Sequence, residues 1–421
     1  MTGVIGLAIN MDKLVDKGVK RLKWARDHMK VLDIVRDDVK DRGYLEGKNI
    51  SMALHVEAKT GVLALSLAQA GANVKMASCN PLSTDDSVAE ALREEYDMDV
   101  YARRGETHEE YYEHLKSTLS HDPDVVIDDG GDLISMIHTE RQDLIDGIYG
   151  GAEETTTGIV RLRAMEADGA LKFPVMSVND AYMKHMFDNK YGTGQSTIDG
   201  IMTATNLQLS GKKFLVVGYG WCGRGIAMRA SGMGANVMVS EVDPIKAVEA
   251  TMDGFEVLPV KEGTSKADFV VTVTGCKDVV DKEAIMSAKD GCILANSGHF
   301  NNEISKDMLE SLSVSQREAR EDVIEYKMED GRKLNLLADG RLVNLAIGQG
   351  HPAEIMDMSF ALQILAAEYV VKTDGLEPKV YNIPRELDEM VARLRLQADG
   401  ISIDTLSEDQ KRYLNSWDEG T

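Results

Sequence analysis

One segment of the sequence constrains the fold more than any other. The apolar run 213–217 is followed at once by three glycines with the spacing G-x-G-x-x-G and then by a helical stretch. These glycines are Gly218, Gly220 and Gly223. A second apolar run, 236–240, ends at Glu241, about 20 residues after the loop. This order of strand, glycine loop, helix, strand and acid predicts a doubly wound α/β domain of the Rossmann type.

Each part of this pattern has a physical task in holding a dinucleotide. Gly218 permits a tight turn, Gly220 lets the backbone approach a pyrophosphate, and Gly223 lets the helix pack closely on the strand. Glu241 is expected to bond the ribose hydroxyls and to repel a 2′-phosphate, which favours NAD over NADP. Trp221 and Cys222 lie within the loop and are predicted cofactor contacts as well. A purely structural glycine turn is the alternative interpretation.

Length, charge and cysteine content set further limits. A chain of 421 residues exceeds what one hydrophobic core supports, so at least two lobes are expected. Acidic residues outnumber basic ones by 70 to 47, and this net charge of -23 disfavours a nucleic-acid or membrane surface as partner. The four cysteines form no CxxC pair, which predicts no metal site and no disulfide framework. We expect a cytoplasmic protein without a leader or a membrane span.

The first half of the chain alternates helical stretches with short apolar runs, which predicts a second α/β lobe. We expect one amphipathic helix over 22–39, a strand over 50–55, and a strand over 124–127 that enters an acidic glycine turn. His55 and Asp129 follow two of these strands. In such sheets the loops at the carboxyl ends of the strands are where ligands usually bind.

The predicted dinucleotide domain continues beyond Glu241. Two more buried strands, over 269–274 and 292–296, end in glycine turns that face the cofactor crevice. The domain is expected to span 189–347 and to interrupt the first lobe, which resumes near Gly348. The charged segment 313–332 is expected to be a solvated excursion from this domain.

Titratable residues outside the dinucleotide domain gather in strings that a structural scaffold does not require. Asp129 lies in the acidic glycine turn, Glu154 precedes a run of three threonines, and Lys184 and Asp188 are four residues apart. That spacing places the lysine beside the carboxylate on one helical face. Each residue also has an ordinary alternative role: a helix cap, a helix start, or a surface ion pair of little energetic value.

Taken together, these motifs resemble the S-adenosylhomocysteine hydrolase family over the whole chain. The motifs that carry the resemblance are Asp128-Asp129-Gly130-Gly131, Glu153-Glu154-Thr155-Thr156-Thr157, Asn179-Asp180, Phe187-Asp188-Asn189, Gly298-His299-Phe300, Gly340-Arg341-Leu342-Val343-Asn344 and Gly350-His351-Pro352. The resemblance implies that NAD transiently oxidises the 3′-hydroxyl of a nucleosyl thioether. The C4′ hydrogen then becomes removable, homocysteine leaves from C5′, and water adds.

The resemblance also implies an organisation for the chain. A substrate-binding α/β lobe would comprise 1–188 and 348–385, and a Rossmann NAD domain would comprise 189–347. A short C-terminal segment, 386–421, would serve to assemble a homotetramer. No metal is implied, and the partner is a small-molecule substrate.

Roles for individual residues follow from the same resemblance. Lys184 and Asp188 would handle the 3′-hydroxyl proton beside Glu154, with the pKa of the lysine lowered by a positive nicotinamide. Asp129, His55 and His299 would serve the C4′ proton, the departing sulfur and the water, in an order that the sequence leaves open. The residues expected to hold NAD outside the glycine loop are Thr155, Thr156, Thr157, Asn189, Gly298, His299, Asn344 and His351.

The sequence departs from the family pattern at three points near the cofactor. Thr193 stands where many relatives have a cysteine, and Lys246 stands where an asparagine is usual. The sequence ends at Thr421 without the Lys- and Tyr-containing tail of many relatives. We therefore expect easier cofactor exchange, although a tetramer is still expected.

A fourth departure concerns the nucleobase. Glu57 and Lys59 follow His55, whereas animal-type enzymes have a threonine at the first of these positions and a glutamate or glutamine at the second. A lysine can only donate hydrogen bonds, which suits the 6-oxo group of hypoxanthine better than the 6-amino group of adenine. Gln349 and His351 are further predicted substrate contacts. We therefore hypothesise that S-inosyl-L-homocysteine is turned over at least as well as S-adenosyl-L-homocysteine.

Other interpretations remain open from the sequence. Lys59 could pair with Glu57 and point away from the base, which would leave ordinary adenosine specificity. A plain NAD-dependent dehydrogenase would share the glycine loop but would not need the other titratable residues. A non-catalytic NAD-binding regulator would be expected to have lost Lys184, Asp188, Glu154 or His299.

Overall fold

The computed structural model describes residues 2–417, with side chains from residue 11 onward. Its strands are β1 Asn49–Ala53, β2 Asn73–Ala77, β3 Asp99–Tyr101, β4 Val125–Asp128, β5 Gly150–Glu153, β6 Val175–Ser177, β7 Lys213–Val217, β8 Asn236–Ser240, β9 Glu256–Val257, β10 Phe269–Thr272, β11 Cys292–Asn296, β12 Ser313–Arg320, β13 Val323–Met328, β14 Lys333–Leu337 and β15 Val380–Asn382.

The α-helices of the described residues are α1 Thr2–Asp27, α2 Lys30–Arg42, α3 Ala58–Gln69, α4 Asp86–Glu94, α5 His108–Thr118, α6 Asp132–Glu140, α7 Thr156–Ala167, α8 Tyr182–Lys184, α9 Thr193–Thr205, α10 Trp221–Gly232, α11 Pro244–Met252, α12 Val260–Lys266, α13 Lys282–Ser287, α14 Lys306–Leu312, α15 Val343–Ala346, α16 Ala353–Lys372, α17 Arg385–Ala398 and α18 Glu408–Asn415. Short 3-10 helices cover Leu119–His121, Gln142–Gly147 and Ala338–Gly340, and a π-helix covers His185–Gly192.

Two sheets organise the fold, and both have the same internal strand order. The first sheet runs β15-β6-β5-β4-β1-β2-β3, and the second runs β12-β13-β14-β11-β10-β7-β8-β9. Six strands of each therefore follow the doubly wound order 3-2-1-4-5-6. The order reverses between β1 and β4 in the first sheet and between β7 and β10 in the second. Ligands of such sheets bind at these switch points, and the predicted α/β fold class is confirmed.

A single buried helix returns the chain from the second sheet to the first. Helix α16 follows the second sheet, and 14 of its residues are buried within the first lobe. Its Asp357 carboxylate accepts hydrogen bonds from the backbone N–H groups of Val31 and Leu32 at 3.1 and 2.7 Å. The carboxylate thus satisfies amides at the start of α2 that have no partner within the helix.

This distant cap explains why the prediction of one helix over 22–39 was wrong. The segment forms two helices, because α1 ends at Asp27 and α2 begins at Lys30. Met29 between them has a non-helical backbone, with φ -122° and ψ 60°. The apolar periodicity runs through the break, so the local sequence does not reveal it.

The prediction of a solvated excursion over 313–332 was also wrong in part. Strands β12 and β13 form an antiparallel hairpin, and β13 pairs with β14 to extend the second sheet. Strand β12 is exposed, but Val323, Tyr326 and Met328 of β13 are buried in the core. The charged residues of β12 concealed the alternation of buried and exposed residues in β13.

Helices α9 and α10 pack backbone against backbone through glycines. A Cβ atom added to Gly194 would lie 2.5 Å from the carbonyl oxygen of Gly225. A Cβ atom added to Gly225 would lie 1.7 Å from the carbonyl oxygen of Lys190. Both distances are below van der Waals contact, so the approach of the glycine-loop helix to the π-helix requires glycine at these positions.

We predict that Gly225→Ala lowers the free energy of unfolding by about 1–3 kcal/mol, because the added methyl group forces helix α10 away from the π-helix. Denaturant titration measures the change. Gly232→Ala in the same helix is the matched control, since a Cβ there meets nothing within 4 Å. That control should be neutral or stabilising by up to about 1 kcal/mol. Equal effects of the two substitutions would contradict the packing argument.

Candidate active site

The centre of the site is a carboxylate between two imidazole rings. Asp129 Oδ2 lies 3.5 Å from His55 Nε2, and Asp129 Oδ1 lies 3.6 Å from His299 Nδ1. His55 and Asp129 follow β1 and β4 at the switch point of the first sheet, whereas His299 follows β11 of the second sheet. The two lobes therefore each contribute one imidazole to the same carboxylate.

Gly130 allows His299 to approach the first lobe. Its φ angle is +109°, and a Cβ at this position would lie 2.4 Å from His299 Nε2. A larger residue would be strained in this conformation and would also collide with the ring. The glycine after Asp129 is thus required by the contact between the lobes.

The electrostatics of His55 favour a neutral ring. Burial lowers the pKa of His55 to about 4, although the Asp129 carboxylate opposes the shift. His55 Nδ1 lies 2.7 Å from Ser83 Oγ, which helps to fix the orientation of the ring. The ring is therefore neutral near neutral pH, and one of its nitrogen atoms keeps a lone pair that can serve as an acceptor in general acid–base chemistry.

A second cluster combines one lysine with two carboxylates. Lys184 Nζ lies 3.2 Å from Asp188 Oδ1 and 3.6 Å from Glu154 Oε1, and it donates to Asn189 Oδ1 at 2.8 Å. The charged side chains are at most 6 % exposed, so the alternative of a surface ion pair is excluded. The predicted pairing of Lys184 with Asp188 occurs, but it spans the start of the π-helix instead of a regular helix.

The expected lowering of the Lys184 pKa is not found in this cluster. Burial lowers the pKa of Lys184, but the Asp188 and Glu154 carboxylates outweigh burial and hold it above its ordinary value. The expected lowering depends on the positive charge of a bound nicotinamide, so it stays a prediction for the NAD-loaded enzyme. Conversely, Lys184 and His351 overcome the burial of Asp188 and lower its pKa.

Glu154 behaves differently from Asp188. Burial raises its pKa to about 7, against the attraction of Lys184. The single lysine charge is already balanced by Asp188, so a charged Glu154 would be a second buried anion. Its oxygens accept hydrogen bonds from the Ser359 hydroxyl at 2.7 Å and from the Gln363 amide at 2.5 Å.

Two further buried carboxyl groups hold the loops of the site and were missed from the sequence. Asp128 accepts the N–H of Asp129 at 2.9 Å, and Glu153 accepts the N–H groups of Gly130 and Thr155 at 2.8 and 2.9 Å. Burial raises the pKa of Asp128 to about 7 and that of Glu153 well above its usual range. The acidic doublets at the ends of β4 and β5 were the available signal: the first residue holds the turn and the second faces the site.

The glycine loop has the space and the open polar groups that NAD requires. A Cβ on Gly220 would meet nothing within 4 Å, and no side chain caps the first turn of α10. Glu241 ends the adjacent strand and accepts the N–H of Tyr219 at 2.7 Å. Asn344 is buried, and its Oδ1 atom has no partner among the described residues. The open space at Gly220 and the uncapped first turn of α10 fit a pyrophosphate, Glu241 fits a ribose, and Asn344 fits a carboxamide.

The other predicted cofactor contacts surround the same crevice. Thr156 Oγ1 and Asn189 Nδ2 both donate to Asn179 Oδ1, and Thr157 Oγ1 lies 3.9 Å from a Cβ built on Gly275 of the second lobe. The remaining predicted cofactor residues make local contacts. They are Thr155 before α7, Trp221 stacked on Arg224, Cys222 beside Thr193, Gly223 against the Gly218 carbonyl, and Gly298 bonded to Asn296.

Lys59 is buried at the start of α3 and has two partners. Its Nζ lies 2.5 Å from Glu57 Oε2 and donates to the carbonyl oxygen of Gln349 at 2.7 Å. The pairing with Glu57 that the alternative interpretation required is therefore present. Glu57 also accepts the N–H groups of Lys59 and Thr60 and the Thr60 hydroxyl. An ammonium group has three donors, so Lys59 keeps one for a ligand.

Two observations bear on classes of function considered from the sequence. His55, Asp129 and His299 offer atoms within 4.8 Å of one another, a spacing that a metal ion could also accept, so the expectation of no metal stays a prediction. Within residues 2–417, none of the helices combines the length and the apolar character needed to cross a bilayer.

Comparison with known proteins agrees with this geometry. Residues 8–148 match the family model of S-adenosyl-L-homocysteine hydrolase, and residues 189–350 match its NAD binding domain. Adenosylhomocysteinase of Thermoplasma volcanium is 59% identical over 96% of this chain and 99% of its own length. S-inosyl-L-homocysteine hydrolase of Methanocaldococcus jannaschii is 57% identical over 96% of this chain and 97% of its own. The chain belongs to the S-adenosyl-L-homocysteine hydrolase family.

Membership of this family confirms the resemblance inferred from the motifs. The chain is an NAD-dependent enzyme of the hydrolase class, and its second sheet lies within the matched NAD-binding domain. Adenosylhomocysteinase of Aquifex aeolicus is 56% identical over 97% of this chain and 98% of its own length. Relatives with the two names are thus almost equally similar, so overall identity does not decide which nucleobase is preferred.

The raised pKa of Glu154 predicts a pH-dependent gain from Glu154→Gln. The wild-type carboxyl ionises near pH 4.5 in the unfolded chain but only near about pH 7 in the folded one, so the wild type loses stability as the pH rises through this window. The amide never ionises. The free energy of unfolding of the variant relative to the wild type should therefore rise by about 1–3 kcal/mol between about pH 5 and about pH 8.

Urea titrations at the two pH values measure this difference. Gln363 can rotate its amide to match the new side chain, since its Oε1 has no partner among the described residues. Glu329→Gln, at an exposed position, is the control and should show no pH-dependent difference. A difference for Glu154→Gln that is constant with pH would contradict the assigned pKa shift.

Proposed function

We propose that this enzyme catalyses the reversible, NAD-dependent hydrolysis of the thioether in S-inosyl-L-homocysteine and S-adenosyl-L-homocysteine. The observation that carries the proposal is the meeting of His299 from the second lobe with Asp129 and His55 from the first. Beside it lies the buried cluster of Lys184, Asp188 and Glu154. A plain dehydrogenase needs one group for proton transfer at the oxidised hydroxyl, whereas this site has two separate clusters.

When bound, NAD supplies a reversible hydride acceptor for C3′ of the sugar, which makes the C4′ hydrogen acidic. We propose that the glycine loop, Glu241 and Asn344 hold it from the second lobe. From the first lobe, Thr155, Thr156, Thr157 and Asn189 would complete the site, as the resemblance implies. The unpartnered Asn344 Oδ1 and the open space at Gly220 support this placement.

The cluster of Lys184, Asp188 and Glu154 suits the proton of the 3′-hydroxyl. The Lys184 ammonium can donate a hydrogen bond to the hydroxyl oxygen and stabilise the charge that develops there, and the ionised Asp188 carboxylate can accept the hydroxyl proton. Glu154 is close to neutral and can donate to or accept from the sugar without adding a second buried charge. These roles are proposals that follow from the geometry and from the family resemblance.

The cluster of His55, Asp129 and His299 suits the chemistry at C4′ and C5′. We assign the C4′ proton, the departing sulfur and the incoming water to these three residues as a unit, because both imidazole rings lie against the same carboxylate. The neutral His55 ring can take up a proton, and the carboxylate between the two rings can hold either imidazole in its protonated form. Contact between the lobes also excludes bulk water from the reacting atoms.

Lys59 and Glu57 support turnover of the inosyl substrate. All four hydrogen-bonding positions of the Glu57 carboxylate are used by Lys59 and Thr60, so Glu57 has no position left for a 6-amino group. The remaining free group of the pair is an N–H of Lys59, which matches a 6-oxo acceptor. An unpaired donor facing the 6-amino group of adenine would cost about 1–3 kcal/mol.

The proposal predicts that the NAD-loaded protein joins homocysteine to inosine at least as fast as to adenosine. Chromatography of the thioether product, with kcat/KM for each nucleoside, measures this. A strong preference for adenosine would contradict the proposed base preference, but it would still support the proposed thioether chemistry. Absence of thioether from both nucleosides, with NAD bound, would favour the non-catalytic regulator.

The double substitution of Glu57→Thr with Lys59→Glu tests the base contact directly. It replaces the donor by a carboxylate with free acceptor positions, as in the animal-type pattern. We predict a shift of the adenosine-to-inosine ratio of kcat/KM by about tenfold or more towards adenosine. Lys327→Glu, at an exposed position in β13, is the control for the change of charge and should leave the ratio unchanged.

We also propose that the chain works as a cytoplasmic homotetramer with lobes 1–188 plus 348–385 and 189–347. The described cysteines are all unpaired, which supports a reducing compartment. The described part of the C-terminal segment 386–421, residues 386–417, exposes apolar side chains that a second copy of the chain would cover. Those most exposed are Ile401, Ile403, Tyr413, Leu414 and Trp417, between 51% and 96%.

Light scattering of the purified protein tests the assembly. We predict a mass of four chains for the wild type and a smaller species for Leu414→Glu, because a charge would be buried in the interface. Lys411→Glu, on the same helix, is the control for added negative charge. A monomeric wild type would contradict the proposal, as would a tetramer that is insensitive to Leu414→Glu.

A further inference from the structure

A row of four side chains leads from the catalytic lysine cluster to the helix of the glycine loop. His351 Nδ1 lies 3.2 Å from Asp188 Oδ1, and His351 Nε2 lies 3.3 Å from Thr193 Oγ1. Thr193 Oγ1 in turn lies 3.5 Å from Cys222 Sγ, in the first turn of α10. The row thus connects the π-helix, the loop before α16, the start of α9 and the glycine-loop helix.

Two of the four residues in the row are buried, and His351 is partly buried, with its side chain 18% exposed. Asp188 is 3% exposed and Thr193 is 5% exposed. A Cβ on Gly192 would lie 2.8 Å from His351 Nδ1, so the imidazole is held against the backbone of the π-helix. A ring in such a position has few alternative orientations, and its two nitrogen atoms have fixed neighbours.

The two nitrogen atoms of the His351 ring have partners of different chemistry, a carboxylate at Nδ1 and a hydroxyl at Nε2. Asp188 can only accept a hydrogen bond while it is ionised, so Nδ1 of His351 must carry a hydrogen. The Thr193 hydroxyl lies 3.3 Å from Nε2, so it contacts the other side of the ring and fixes the orientation of the ring. The same hydroxyl is placed to donate to Cys222 Sγ, which connects Thr193 to the glycine-loop helix.

We propose that His351 is a positioning residue whose ring orientation is fixed by Thr193 and which holds the Asp188 carboxylate in place against Lys184. The inference rests on the proposed hydrolysis and deepens it. Thr193 then acts on the 3′-hydroxyl chemistry through His351. Its hydroxyl matters for this task, and its bulk does not.

The test compares Thr193→Val, which keeps the shape and removes the hydroxyl, with Thr193→Ser, which keeps the hydroxyl. We expect Thr193→Val to lower kcat for thioether formation about tenfold, the usual effect of one lost hydrogen bond to a charged network. Thr193→Ser should restore most of the rate. KM for the nucleoside and the Kd for NAD, measured by titration of cofactor-free protein, should stay within about twofold.

Two further variants separate the two ends of the ring. His351→Asn keeps a donor near the Nδ1 position, whereas His351→Ala removes both contacts and should lower kcat about a hundredfold, as expected for a misplaced reacting group. His351→Asn should fall between His351→Ala and the wild type. Thr139→Val, at an exposed threonine of α6, is the matched control and should retain the wild-type kcat.

Three outcomes would overturn the inference. They are a wild-type kcat for Thr193→Val, an equal loss for Thr193→Ser and Thr193→Val, or a loss of kcat matched by an equal loss of NAD affinity. A crystal structure of Thr193→Val decides the matter without any assay. We expect the Asp188 carboxylate to have turned from Lys184, and an unmoved carboxylate would contradict the proposal.

The same set of measurements separates this inference from the proposed hydrolysis. If the NAD-loaded wild type forms no thioether, the proposed function fails whatever Thr193 does. If the wild type is active and Thr193→Val is equally active with an unmoved Asp188, only the role of His351 fails.

Discussion

The rest of the site depends on two carboxyl groups that are buried in the first sheet. Asp128 and Glu153 accept the backbone N–H groups of the two loops that carry Asp129 and Glu154. Burial raises the pKa of both groups, so each can stay neutral while it holds its loop. With these loops fixed, Asp129 can face His299 of the other lobe, and Glu154 can face Lys184.

Charge is distributed sparingly across the two clusters. Lys184 is balanced by Asp188, Glu154 is close to neutral, and His55 is held neutral by burial. Few uncompensated charges therefore lie in a poorly solvated interior, where each would cost several kcal/mol. In the proposed reaction, the groups that transfer protons are those whose charge can change with little reorganisation, as proton transfer at two separate positions of a sugar requires.

Local patterns in the sequence were sufficient for much of the fold and for the placement of the site. Strands over 213–217, 236–240 and 292–296 occur with the predicted bounds, since each is a compact apolar run that ends in glycine or polar residues. Other features depend on partners far away in the chain. The helix break before α2 depends on Asp357, and the position of Lys59 depends on the Gln349 carbonyl. No local window contains these pairs, so the sequence alone could not have predicted them.

The central claim is that the sugar is oxidised transiently, so that the C4′ hydrogen becomes exchangeable. The most direct test is to incubate the NAD-loaded protein with inosine in heavy water, without homocysteine, and to examine the recovered nucleoside by NMR. The account predicts deuterium at C4′ of the recovered inosine. Formation of thioether in a parallel reaction with homocysteine, without any deuterium at C4′, would contradict it.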